Sequence, residues 1–123
     1  MDLHRSGEDY LEAIYKLQKQ NGTVRSVDVG NELGYSKPSV SVAMKKLRET
    51  GYVHADKSGH LLLTPKGEAV AMRIYERHQV LEHMLEVLGV SPETAAEEAC
   101  AMEHVISDDT FEKIKAHFMK NSH

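Results

Sequence analysis

The chain has 123 residues, 41% of them hydrophobic and 28% charged, with a formal net charge of −4. That is ordinary globular usage, enough for one compact unit or two small ones sharing a helix. No apolar run reaches the roughly 18 residues of a membrane-spanning helix. The opening Met-Asp-Leu-His-Arg-Ser-Gly also lacks the apolar stretch of a signal peptide, so a cytoplasmic location is expected.

A lone cysteine, Cys100, forms no internal disulfide and stays available for other chemistry. Charge is unevenly spread. Residues 25–66 carry 7 basic and 4 acidic groups, whereas residues 67–123 carry 5 basic and 11 acidic. A basic middle fits a phosphate-binding surface and an acidic end fits a cation-binding one, although differences of this size also arise by chance.

In chain order, Ser6 with Asp9 three residues on predicts a helix start, and Tyr10, Leu11, Ile14 and Leu17 mark its buried stripe as far as Asn21-Gly22. Asp9 and Glu12 share a face of this helix; by themselves they read as a cap and a solvated surface residue. A short helix from Ser26 follows, with Val27, Val29 and Leu33 apolar and Gly34 as its stop. After the turn Tyr35-Ser36-Lys37-Pro38, a third helix is capped by Ser36 and closed by Gly51, with Val40, Met44 and Leu47 facing inward.

This pair predicts a helix-turn-helix. The outward face of its second helix shows Pro38, Val42 and Lys45, flanked by Ser36, Lys37, Ser39, Ser41 and Lys46. Small hydroxyl and apolar groups suit base edges and thymine methyls, and lysines suit phosphates. An ordinary helical hairpin is the competing reading. The next segment favours DNA: Tyr52–Ala55 and His60–Leu63 flank the polar turn Asp56-Lys57-Ser58-Gly59, a two-stranded wing with Lys57 at its tip.

Thr64-Pro65 caps a long helix ending near Gly89, with Val70, Ile74, His78, Leu81, Leu85 and Leu88 along one stripe. Ser91-Pro92 starts another, and Ser107-Asp108-Asp109 the last, with Phe111, Ile114 and Phe118 apolar. Cys100, Glu103 and His104 stand at i, i+3 and i+4, so a thiol, a carboxylate and an imidazole fall on one helical face. These three groups bind first-row transition metals well, although a buried cysteine beside two surface residues is the commoner arrangement.

The expected architecture is mainly α: a winged helix-turn-helix DNA-binding domain over 1–70 and a helical metal-binding and dimerisation domain over 71–123. The second part is thin for an independent core. Its apolar residues, among them Val80, Leu81, Val87, Leu88, Val105 and Ile106, predict completion by a second copy in a homodimer.

The order of parts resembles the diphtheria-toxin-repressor family of metal-dependent transcriptional regulators, including its manganese-transport-regulator branch. The resemblance covers essentially the whole chain. It rests on Glu8-Asp9-Tyr10-Leu11-Glu12-Ala13-Ile14-Tyr15, Ser36-Lys37-Pro38-Ser39-Val40-Ser41, Leu63-Thr64-Pro65-Lys66-Gly67, Arg77-His78, and Glu98-Ala99-Cys100 with Glu103-His104-Val105-Ile106-Ser107-Asp108.

The resemblance implies metal ligands at Asp9, Glu12, His78, Cys100, Glu103 and His104. Cys100 is written as in the iron-responsive branch, where the manganese branch has glutamate. Asp9, Glu12 and His78 match the manganese branch, so the chain is a hybrid. Ala96 stands where the iron branch has an auxiliary-site histidine, and the SH3-like third domain is missing, so no auxiliary site of the iron type is expected.

The implied activator is Fe²⁺ or Mn²⁺, one or two ions per chain. Co²⁺, Ni²⁺ or Zn²⁺ are expected to bind more tightly in vitro by the Irving–Williams order. The implied partners are a palindromic double-stranded operator and a second copy of the chain, with no membrane. Two rivals stand beside this reading. One is a metal-independent winged-helix regulator answering a small organic ligand. The other is a metalloenzyme, against which the chain has no His-Glu-x-x-His run and no Ser/His/Asp arrangement.

Overall fold

Apolar residues at helical spacing set the first element, α1 (Arg5–Asn21), which buries Leu11 and Ile14 completely and Leu17 nearly so. The structure, a computed structural model, describes residues 5–119; the start read above for a signal peptide lies partly outside that range. Ser6 sits inside the first turn of α1 rather than at its cap, because the helix already includes Arg5.

The chain divides between Met72 and Arg73 into two compact units. In the first, α2 (Ser26–Leu33) stops at Gly34, whose φ of 72° is the left-handed conformation that a residue without Cβ adopts at least cost. α3 (Lys37–Glu49) begins at Ser36, whose hydroxyl accepts the Ser39 N–H at 3.3 Å, with Pro38 in the first turn. Val40, Met44 and Leu47 are buried as expected.

The wing consists of β1 (Val53–Ala55) and β2 (Leu61–Leu63), antiparallel with Val53 opposite Leu63. The Leu61 N–H also donates to the Val24 carbonyl at 2.7 Å, tying the wing to the segment before α2. Tyr10, Leu11, Ile14, Val24, Val29, Val40, Met44, Val53 and Leu61 form the core of this unit.

The last helix of the first unit is the opening part of α4 (Pro65–Val87), whose later turns belong to the second unit. Thr64 closes its start: its hydroxyl accepts the Gly67 N–H at 3.1 Å and donates to the Gly51 carbonyl at 2.6 Å. Gly67 is needed for close approach, since a Cβ there would lie 2.0 Å from the Tyr52 carbonyl oxygen.

In the second unit, α4 is followed by α5 (Pro92–Met102) and α6 (Asp108–Met119), capped by Ser91 and Ser107 through the Thr94 and Thr110 N–H groups. Ile74, Val80, Leu81, Ala95, Ala99 and Phe111 are buried. Val27, one of the apolar positions read for α2, is 47% exposed, whereas Leu88 and Val105, expected to be covered by a second copy, are 66% and 76% exposed. Val27 lies outward on a helix too short to bury both sides, and Leu88 lies beyond the last residue of α4.

Candidate DNA-binding wing and metal centre

On the first unit, Ser36, Lys37, Pro38, Ser39, Ser41, Val42, Lys45 and Lys46 are all exposed along α3 or at its start, and Val42 is 70% exposed. Ser36 is already engaged, since besides capping α3 its hydroxyl donates to Ser39 Oγ at 3.0 Å. These bonds fix where α3 starts.

Sequence reasoning named Val27 only as an apolar position of α2 and Tyr35 only as part of the turn, not as site residues. With Asn31, Lys37 and Ser41 they line a hollow of about 310 Å³ between α2 and α3. It also passed over Arg25, whose Nη1 lies 3.3 Å from where a Cβ would stand on Gly59 of the wing turn. A basic residue directly before a helix was the available signal.

Lys57 is exposed in that turn. The turn itself is built by Asp56, whose Oδ1 accepts the His60 N–H at 2.8 Å and the Ser58 N–H at 2.9 Å, while Oδ2 faces His60 Nδ1 at 3.0 Å. The His60 backbone N–H first, and then its ring and the Ser58 N–H, hold the Asp56 carboxyl below the usual carboxylate range.

Asp9 and Glu12 sit on α1, Asp9 partly exposed and Glu12 buried at 8%. Three polar or charged residues are buried among the described residues, and Glu12 is one of them; the others, Arg77 and Glu103, lie in the second unit.

In the second unit α5 ends at Met102, so the expected one-helix motif straddles a helix end: Cys100 is helical, Glu103 is the C-cap and His104 lies in the following turn. Glu103 nonetheless keeps helical angles (φ −61°, ψ −22°), and its N–H donates to the Ala99 carbonyl at 3.0 Å. Cys100, Glu103 and His104 therefore lie close together although the helix has ended. A sulfur, a carboxylate oxygen and an imidazole nitrogen from Cys100, Glu103 and His104 lie within 4.8 Å of one another. His78, from α4, brings Nδ1 to 3.5 Å from Glu103 Oε2, and His104 Nε2 lies 3.5 Å from Glu103 Oε1.

The Glu103 side chain is 0% exposed and neither of its oxygens accepts a hydrogen bond from a described residue. A carboxylate buried in this way is costly, and the negative end of α5 adds to the cost. A divalent cation relieves both, and carboxylate, imidazole and thiolate are donors that such a cation accepts. The residues present fit a transition metal.

A winged helix-turn-helix followed by a helical unit with this donor set defines a metal-dependent DNA-binding regulator. Residues 2–61 match the profile of the iron dependent repressor N-terminal DNA binding domain, and residues 64–123 that of the iron dependent repressor metal binding and dimerisation domain. The chain belongs to the iron-dependent repressor family. The transcriptional regulator MntR of Salmonella typhimurium is 40% identical over 109 residues, which cover 89% of this chain and 69% of that protein. An uncharacterized HTH-type transcriptional regulator of Methanocaldococcus jannaschii is 35% identical over 115 residues, 92% of each.

A manganese-dependent transcriptional repressor solved with manganese superposes with a TM-score of 0.84 at 30% identity; the match covers 92% of this chain and 52% of that one. The chain thus spans about half the length of this solved relative. Family members of this kind bind operators through the first domain and dimerise through the second. No described helix is long and apolar enough to cross a membrane.

Proposed function

We propose that this chain is a transcriptional repressor of metal-uptake genes, acting in the cytoplasm without catalysing a reaction, and that Fe²⁺ or Mn²⁺ activates it for operator binding. The observation that carries the reading is the buried Glu103 carboxylate, which has two imidazoles and a thiol around it and accepts no hydrogen bond from a described residue. The ligand set is Cys100, Glu103, His104 and His78 from the second unit, with Asp9 and Glu12 contributed by α1 of the DNA-binding unit. When bound, the metal supplies the positive charge that lets so many donors share one locus.

Each donor has a separate task. Glu103 supplies the buried negative charge, and His78 and His104 supply neutral nitrogens at its two oxygens. Asp9 and Glu12 are carried by the same helix that packs against α2 of the helix-turn-helix, so restraining them restrains the recognition helices. In a dimer, two such helices must match half-sites about one turn of DNA apart. Hard oxygen donors favour Mn²⁺ and the Cys100 sulfur favours softer ions, so both Fe²⁺ and Mn²⁺ remain within the donor set's range.

An anaerobic DNA-binding titration with Mn²⁺ and Fe²⁺ in parallel, with a chelator control, tests the reading. Affinity is expected to rise by roughly 5–150-fold with metal. Glu103→Ala is expected to lose that gain and retain weak, salt-sensitive binding. Chelator-insensitive binding by the unmodified protein would instead favour the metal-independent regulator.

A further inference from the structure

Arg77 stands immediately before His78 on α4, and its side chain is only 5% exposed. Its Nη1 donates to the Glu103 carbonyl at 3.2 Å and to the Ile106 carbonyl at 2.8 Å. Its Nη2 pairs with the Asp108 carboxylate, and the guanidinium lies over the Phe111 ring at 5.2 Å. One planar group therefore ties down both ends of the turn that follows α5, together with the first turn of α6.

We infer that Arg77 is the positioning residue for the metal site. The inference rests on the metal reading above. Glu103 and His104 lie beyond the last residue of α5, where a helix no longer holds both sides of the backbone. Past Glu103, the turn's own backbone bonds are the Val105 and Ile106 N–H groups on the Met102 carbonyl, at 3.1 and 3.3 Å. Arg77 adds anchors at the carbonyls of Glu103 and Ile106.

His78 is fixed by the same stretch of α4, so the ligand from one helix and the turn carrying two others share one reference point. A lysine cannot replace this fork, because its ammonium presents donors from a single atom and cannot span two carbonyls and a carboxylate at once. Asp108 has a second task. A buried guanidinium beside a cation site repels the cation unless it is neutralised, and Asp108 is the carboxylate that neutralises it. Asp108 is itself 80% exposed, so it is replaceable with little risk to the fold.

The test compares the unmodified chain with Arg77→Lys and Asp108→Asn, measuring Mn²⁺ affinity by calorimetry and the visible absorption of the Co²⁺-loaded proteins. Circular dichroism and sedimentation of the metal-free proteins serve as controls. Arg77→Lys is expected to weaken Mn²⁺ binding roughly 10–100-fold and to alter the Co²⁺ band positions or intensities, as loss of a group that orients ligands does. Asp108→Asn is expected to weaken binding severalfold in the same direction.

Unmodified affinity and an unmodified Co²⁺ spectrum in Arg77→Lys would overturn the inference. Should that variant fail to fold, the same result in Asp108→Asn overturns it. Failure of the unmodified chain to bind Mn²⁺ or Co²⁺ would instead overturn the metal reading itself.

Discussion

A buried polar group that makes no hydrogen bond costs about 1–3 kcal/mol, and neither Glu103 oxygen makes one with a described residue, the His78 and His104 nitrogens standing at 3.5 Å. On the proposed ligand set, the residue trades stability of the metal-free protein for a donor that a bound metal would repay. Glu103→Met, similar in length and apolar, should leave the metal-free protein as stable as the parent or more so by about 1–3 kcal/mol. Thermal unfolding with and without Mn²⁺ checks this: only the parent's midpoint should rise on metal addition. The spacing of Cys100, Glu103 and His104 was readable because helical periodicity survives to the C-cap. Arg77 was readable only as part of a family motif, since its partners lie 26 to 31 residues further along the chain and no local pattern announces them.

At the level of elements, Gly67 shows how the start of α4 is packed. Alanine would gain about 1 kcal/mol of helix propensity. Its Cβ, however, would meet a backbone oxygen at 2.0 Å, and backbone does not yield cheaply. Gly67→Ala should therefore cost about 3 kcal/mol or more in urea unfolding, the clash outweighing the propensity. The wing carries a pH dependence. Because the Asp56 carboxyl is held below its ordinary range, its contribution to the hairpin is complete above the ordinary carboxylate pKa and is lost as pH falls through the lowered one. Slowed amide exchange at Ser58 and His60 should fade along that acid limb, and Asp56→Asn should remove the pH dependence. Helix order, caps and wing were all legible, since each rests on local residues such as Ser36, Gly34 and the Asp56-to-Gly59 turn. The outward turn of Val27 was not, because apolar periodicity says which residues share a face without saying what covers it.

Over the whole molecule, Val87, Leu88 and Val105 present apolar surface in the second unit, 60%, 66% and 76% exposed. Water-facing residues of this kind are what a dimerising domain buries against its copy. Leu88→Arg should shift sedimentation toward the monomer and weaken operator binding, while metal affinity measured on the same sample stays near the parent's. That separation distinguishes assembly from ligation, two processes that act together in the intact regulator. Cys100 offers a way to watch the second of them directly. It is the chain's one thiol, half-buried and set against Glu103 and His104. The rate at which an alkylating reagent consumes it is consequently a built-in occupancy gauge, slow when the sulfur is ligated and faster when it is free. On the proposed ligand set, Cys100 should report loading by either ion without DNA, fluorophore or engineered label.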